Sequence, residues 1–401
     1  MLRIRYRTKT PLASFGRAGY LLLGQLSASI GTGAVLATAP LYLIRVVHLP
    51  AAEVAVGMAV VAGIGLVALL GLGPAVDLFG ARAVTVVSAV VSASATTCFV
   101  RIDSLATFIL FEGIANAGLL GMSVGQRALV GQVMTGEHRV RYQAYNRSVT
   151  NLGYAVGTLA AVPVLQADSR TAYLGVFFGT ALVVGAAVPC VLRGPRPGEA
   201  PPRTSARPAI TDVRYVVMTV LCGLLTARSK LLTVAIPLWV ATHTSAPLAV
   251  SGLLLFLNTA VVVVLQVRFS HGAEDLPGAG RVTVFGGLAF VAAFALIALA
   301  GATAVPWMAI VLLATGVLLF TAGEMWTSAA SWTYSYELAD PARHGQYQAV
   351  FALGRTAGNV VGPLLAGVVA ALGFTGWGIV AIGMLSCCVL TATAAPAGPA
   401  P

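Results

Sequence analysis

Charged residues are missing from long stretches of this chain. Residues 18–44, 54–76, 83–100, 148–167 and 171–192 contain no Asp, Glu, Lys or Arg. A helix rises 1.5 Å per residue, so about 20 residues cross a hydrocarbon layer of ~30 Å. Each run is long enough, or nearly so, for one crossing. Three further charge-free runs, 231–267, 282–323 and 356–401, are too long for a single span. Each holds an internal break made of Gly, Pro and short polar residues: "THTSAP" at 242–247, "GATAVP" at 301–306 and "LGFTGWG" at 372–378. None of the runs alternates apolar and polar residues as a membrane β-strand does. The pattern predicts an all-α polytopic membrane protein with twelve transmembrane helices. They are expected at 19–45, 54–76, 83–101, 105–134, 147–167, 171–192, 215–241, 248–267, 282–301, 306–335, 346–371 and 376–394.

Composition agrees. Apolar residues make up 58% of the 401 and charged residues 9%, against roughly 25% charged in a soluble domain. Charge placement then sets the orientation. With the N-terminus inside, the cytosolic segments carry 17 of the 24 Lys and Arg residues: Arg3, Arg5, Arg7, Lys9, Arg17, Arg82, Arg139, Arg141, Arg147, Arg193, Arg196, Arg203, Arg207, Arg214, Arg268, Arg281 and Arg343. The outer loops carry only Arg45, Arg101 and Arg170, and four more cations fall inside spans. This asymmetry is the positive-inside signature, with both termini cytosolic. It also accounts for the net charge of +11 without nucleic acid, because the cations sit in short loops facing anionic membrane lipids. The first run, preceded by "RIRYRTK" and containing "ATA" at 37–39, imitates a signal peptide. Its length, and Pro40 directly after the would-be cleavage site, make it the first span instead. Arg outnumbers Lys by 22 to 2. With the abundance of Ala and Gly, this points to a GC-rich bacterial genome, and so to a bacterial cytoplasmic membrane.

The chain repeats itself. "RYQAYNRSVTNLGYAVG" from Arg141 and "QYQAVFALGRTAGNVVG" from Gln346 share Tyr-Gln-Ala and a Gly-x-x-x-Gly pair at an offset of 205, from Tyr142 to Tyr347 and from Gly157 to Gly362. Ala117-Gly118 matches Ala322-Gly323 at the same offset, and "APLYL" at 39–43 matches "IPLWV" at 236–240 at 197. A longer loop after span 8 absorbs the difference. The expected organisation is therefore a six-helix bundle over 1–192, a Pro- and Arg-rich cytosolic linker over 193–214 and a second six-helix bundle over 215–401. Two bundles in parallel repeat are a transporter plan.

Catalytic chemistry has no foothold. Cys98, Cys190, Cys222, Cys387 and Cys388 lie in spans without metal-ligand spacing, and the five histidines are scattered. No His-Glu-x-x-His, phosphate loop or nucleophile elbow is present. No enzyme activity, cofactor or metal is expected, and a gradient must supply the energy of transport.

The stretch "GPAVDLFGAR" at 73–82, between spans 2 and 3, resembles a motif of the major facilitator superfamily, and the likeness of plan covers nearly the whole chain. Gly73, Asp77, Gly80 and Arg82 match the motif, whereas Leu78 and Ala81 replace its two middle arginines. The resemblance implies that Asp77 locks one conformation against the start of span 11, where a helix N-terminus attracts an anion. The alternative is that Asp77 only caps a tight loop. Span 5 is similar to a Gly-rich motif of the drug/proton antiporter branch: Gly153 and Gly157 are kept, but Thr158 stands at its Pro. Span 11 keeps Gly358, Gly362 and Pro363. Such pairs let helix backbones approach closely. Where that branch carries an Arg and a Gly in span 4, this chain has Glu112 and Asn116, which reverses the charge.

Ionised side chains are costly in lipid, so those inside spans face a cavity or a partner. Glu112, Arg228, Lys230 and Glu324 lie on spans 4, 7 and 10, which line the cavity in the resembled fold. The other reading is structural, with Glu324 paired to Arg228 or Lys230. Gln25, Ser29, Asn116 and Gln126 are polar groups that could join the cavity. Trp326, Trp332 and Tyr334 are either ligand contacts or interfacial belt residues. Arg127 is near enough to the cytosol to snorkel. The resemblance implies a monomeric secondary transporter working by alternating access. The expected activity is proton-coupled efflux of small hydrophobic or amphipathic compounds, with Glu112 as first proton carrier and Glu324 as second. The alternatives are a proton-coupled uptake symporter and a non-transporting sensor that kept the fold.

Overall fold

Every break expected inside the long apolar runs ends a helix. A computed structural model describes residues 15–196 and 208–395. The basic run at 3–9, residues 197–207 of the expected linker and residues 396–401 lie outside the described residues. The helices are α1 (Gly19–Arg45), α2 (Ala51–Phe79), α3 (Ala81–Thr97), α4 (Leu105–Val133), α5 (Gly136–Ala167), α6 (Arg170–Arg193), α7 (Val213–His243), α8 (Ala249–Phe269), α9 (Leu276–Ala302) and α10 (Pro306–Glu337). The last apolar element, His344–Ala394, is two helices: Gly373, with φ of 56° and ψ of −124°, divides α11 (344–372) from α12 (374–394). Strands are absent among the described residues.

The chemistry at the ends explains the boundaries. Asp212 accepts a hydrogen bond from the Tyr215 amide at 3.1 Å ahead of α7. Asp275 accepts one from the Gly278 amide at 2.7 Å ahead of α9, and Pro306 opens α10. Gly80 alone joins α2 to α3 with φ of 88°, a conformation that a residue with a Cβ resists. This explains one residue of the 73–82 motif in purely local terms. Between α5 and α6, Asp168 pairs with Arg45 and accepts the Tyr173 hydroxyl at 2.7 Å. The tyrosine hydroxyl first, and the guanidinium with it, hold the Asp168 carboxyl below the usual carboxylate range.

Two helices start six or more residues earlier than the charge pattern predicts. α5 begins at Gly136 instead of 147, and α9 at Leu276 instead of 282. Charge-free runs mark the hydrocarbon layer, whereas a capped helix continues past it into the polar zone. The charged stretch 137–147 is therefore helix, not loop.

The chain forms two compact units, Met1–Val133 with Val149–Pro201 and Met134–Ser148 with Pro202–Pro401. The start of α5 thus packs with the second unit and its remainder with the first. Inside each unit the same helix pairs meet through small residues. In the first, α4 lies on α3 so closely that a Cβ at Gly118 would stand 2.8 Å from the Ser88 carbonyl oxygen. In the second, α10 lies on α9, where a Cβ at Gly323 would stand 2.8 Å from the Gly286 carbonyl oxygen. α5 packs on α1: a Cβ at Gly153 would meet Ser29 at 2.5 Å, and one at Gly157 would overlap the Ile30 carbonyl. α11 packs on α7 in the same way, with Gly358 against Gly223 and Gly354 against Thr219. The glycine pairs noticed in the repeat are helix contacts within each unit. Aromatic clusters fill the rest of each core. Tyr42, Phe99, Tyr173 and Phe177 meet edge to face in the first. Trp239, Phe290, Phe294, Phe320 and Trp377 interlock in the second.

Candidate functional site

A polar cluster interrupts the apolar interior of the second unit. Glu324, on the α10 face turned towards α8, carries two partners. Its Oε1 accepts from Arg147 Nη2 at 2.6 Å, and its Oε2 accepts from Asn258 Nδ2 at 3.0 Å. Asn258 also reaches Thr321 Oγ1 at 2.9 Å. One turn along α10, Ser328 receives the other arm of Arg147 and Arg228 Nη2 at 2.8 Å. Arg228 gives its remaining terminal nitrogen to the Leu225 carbonyl. A carboxylate inside a membrane protein is tolerated when it is paired and its lone pairs are met, and Glu324 satisfies both conditions. The side chains of Arg147 and Glu324 keep 21% and 13% of their surface exposed, so the cluster has an accessible edge.

Arg147 arrives there as part of a stripe. Arg139, Gln143 and Arg147 recur every four residues and so share one face of α5. Arg139 pairs with Glu337 at 3.2 Å and lies over the Tyr336 ring at 4.8 Å. Gln143 donates to the Tyr336 hydroxyl at 2.6 Å. Down its length, then, the stripe meets the C-terminal half of α10. On the other side of the cluster, α7 is irregular. Its α-helical hydrogen bonding gives way to a π-turn at Leu231–Ala235, directly after Arg228 and Lys230. Insertions of this kind recur at functional sites.

The first unit holds a different kind of site. Glu112, on α4, lines a cavity of about 130 Å³ whose other walls include Leu36, Met58, Ser92, Thr96, Phe99 and Phe108. No ion pair involves Glu112 among the described residues.

The other expected site residues divide. Gln25 does sit in a polar group, donating to Ser29 and Thr150 at 3.1 Å each. Asn116 is a packing residue: its amide reaches the Val61 carbonyl at 3.5 Å and fills the space above Gly65. Gln126 is buried and donates to the Leu21 carbonyl at 2.9 Å. Lys230 leaves the Arg228 cluster and lays its stem against Gly362 of α11. In the 73–82 motif, Gly73 is buried, Asp77 is half-buried at the end of α2 and Arg82 donates to the Leu192 carbonyl. Pro363 lies inside α11. Tyr334 belongs to the core, with its hydroxyl 3.2 Å from that of Thr283, and Trp332 is buried beside it. Neither is a belt residue. Trp326 packs on Phe269.

The pairing expected for Glu324 needs correction. Its ion-pair partner is Arg147, not Arg228 or Lys230; Arg228 instead donates to Ser328. Arg147, Asn258 and Ser328 were missed. The charge count places Arg147 with the cytosolic cations, at the expected start of its span. The period of four in Arg139, Gln143 and Arg147 was the signal that a helix carried them.

The profile of the Major Facilitator Superfamily matches residues 21–363. No curated protein sequence matches the chain. Among solved structures, the fold is similar to the proton:xylose symporter XylE bound to 6-bromo-6-deoxy-D-glucose, at 12% identity over 96% of each chain with a TM-score of 0.72. It is similar to a bacterial homologue of the iron transporter ferroportin in an outward-facing state, at 15% identity over 94% of this chain and 98% of that one, with a TM-score of 0.72. The human organic anion transporter MFSD10 (TETRAN) aligns at 14% identity over 96% of this chain and 100% of that one, with a TM-score of 0.67. At these identities the likeness is one of fold.

Proposed function

The chain belongs to the major facilitator superfamily, and from that premise we propose that it exports small hydrophobic or amphipathic compounds in exchange for protons, by alternating access. Membership makes it a multi-pass membrane transporter, not an enzyme. The direction and the coupling ion are the proposal.

The observation that carries the coupling is the contrast between two carboxylates. Glu324 is bound by Arg147 and Asn258 and serves as a fixed charge. Glu112 has no cation partner among the described residues and lines a small, mostly apolar cavity. A coupling group must alternate between protonated and ionised forms as its surroundings change. Drying favours the neutral acid and wetting the carboxylate. A carboxyl in an apolar pocket, free of any cation, responds most to such a change, and Glu112 meets that requirement. It lies eight residues after Ser104, roughly 12 Å along the helix from that end.

The test is flux in proteoliposomes under an imposed pH gradient. Wild-type protein should accumulate a transported compound against its gradient when the gradient runs in the export sense, and not when it is reversed. Glu112→Gln should abolish gradient-driven accumulation while preserving substrate binding and downhill exchange. Accumulation by the variant with an unchanged pH dependence would remove Glu112 from the coupling step. The junction of α2 and α3 at 73–82 supplies a conformational lock through Asp77 in this scheme. Asp77→Asn should express normally and lose flux; transport at the wild-type rate would reduce Asp77 to a loop cap.

A further inference from the structure

The charges in the polar cluster of the second unit do not balance. Arg147 and Arg228 are two permanent cations, since a guanidinium does not give up its proton in a protein. Among the described residues Glu324 pairs with Arg147, and no carboxylate pairs with Arg228. Asn258, Thr321 and Ser328, which complete the cluster, are neutral. One positive charge is left over inside an apolar unit, where an uncompensated charge is costly. A second observation agrees. Arg228 is only 8% exposed, yet its Nε is enclosed and meets no acceptor. A buried donor left unmet is a defect that native cores avoid.

Structural salt bridges inside a membrane protein usually cancel their charges. This cluster keeps an excess cation, an unused donor and an accessible edge at Arg147, which is 21% exposed. The π-turn at Leu231–Ala235 follows Arg228 directly and disturbs the helix at that level. Lys230 takes no part, because it turns to Gly362. We propose that the cluster of Arg147, Arg228, Ser328 and Glu324 receives the anionic group of the substrate, which is therefore an amphipathic compound carrying a carboxylate, sulfonate or phosphate. The inference rests on the transporter reading and names its substrate class. The incoming anion restores neutrality with Arg228 and approaches through Arg147. Glu324 holds Arg147 in the empty state and competes with the anion for it.

That competition gives the two charges opposite expected effects. The full-length protein in nanodiscs of zwitterionic lipid is titrated calorimetrically, without any pH gradient. The five probes share one ring system: 2-naphthoate, 2-naphthalenesulfonate, 2-naphthyl phosphate, 2-naphthylmethanol and 2-naphthylmethylamine. At least one anion should bind about tenfold or more tighter than the alcohol, and the amine weakest. Arg228→Gln should weaken that anion by about tenfold or more and leave the alcohol unchanged. Glu324→Gln should tighten it several-fold by releasing Arg147. A purely structural cluster would not make either variant charge-selective. Equal binding of all five probes, no binding of any anion, preference for the amine, or weaker anion binding in Glu324→Gln would each overturn the proposal. Should Arg228→Gln fail to give a monodisperse protein, Glu324→Gln and the wild-type selectivity still decide. Binding at equilibrium is independent of coupling. Anion preference without proton-driven flux would therefore overturn the export reading alone, and proton-driven flux without anion preference would overturn this one alone.

Discussion

Glu112 and Glu324 are chemically identical, but their surroundings differ: Arg147 and Asn258 hold Glu324, whereas Glu112 lines a mostly apolar cavity. Neither belongs to the scaffold that the two halves share. At the repeat offset, the counterpart of Glu112 is Val317 and that of Glu324 is Leu119. Arg147 likewise has Ala352 as its counterpart. The charges lie at positions where the two halves of the repeat differ. This explains which of them the sequence made visible. Glu112, Arg228 and Glu324 stand out because an ionisable side chain in an apolar span is expensive. Arg147 does not stand out, because it stands at the expected start of its span, close after Arg139 and Arg141, and charge alone cannot tell a loop from a helix that continues beyond the hydrocarbon. Asn258 was silent for another reason: a neutral amide in an apolar run raises no charge signal. Only the fold brings it to Glu324, 66 residues away in sequence.

At the scale of elements, length and charge place the helices but not the starts of α5 and α9, and small residues set how closely the helices pack. The Gly-x-x-x-Gly pairs at Gly153 and Gly157 and at Gly358 and Gly362 were legible as sites of close approach. Their partners were not, because the facing residues on α1 and α7 form no motif. Ser29, Ile30 and Gly223 become meaningful only once α5 lies on α1 and α11 on α7. Gly157→Leu should therefore force α5 away from the Ile30 backbone and cost about 1–3 kcal/mol or more, seen as a lower thermal midpoint of the purified protein in detergent. Gly179, on α6, has nothing within 4 Å of its missing Cβ, and Gly179→Ala should be neutral or slightly stabilising. If the two substitutions shifted the midpoint equally, backbone freedom would explain the glycines and helix contact would not.

At the scale of the whole molecule, the placement of the cations carries the expected orientation. Of 24 Lys and Arg residues, 17 fall in segments assigned to one side and three in loops assigned to the other. Insertion into a membrane reads such a bias as orientation. Helix extension does not upset this count: α5 begins earlier than expected, yet its first turns still join α4 at the end where Arg139 and Arg141 lie. Both termini and the 193–214 linker are therefore expected in the cytosol. The critical positions, Thr8 and Ala400, are outside the described residues, so a chemical test is the suitable one. Cys98, Cys190, Cys222, Cys387 and Cys388 are replaced, and a single cysteine is placed at Thr8, at Ala400 or at Asp103 in the loop between α3 and α4. In intact cells a membrane-impermeant maleimide should label the Asp103 cysteine and spare the other two, which should react only after the cells are opened. The three positions constrain one another: an even number of crossings puts the two termini on the same side, and three crossings separate Thr8 from Asp103. Labelling of one terminus but not the other would mean an odd number of crossings. Labelling of both termini with Asp103 protected would invert the protein and detach its orientation from its arginines.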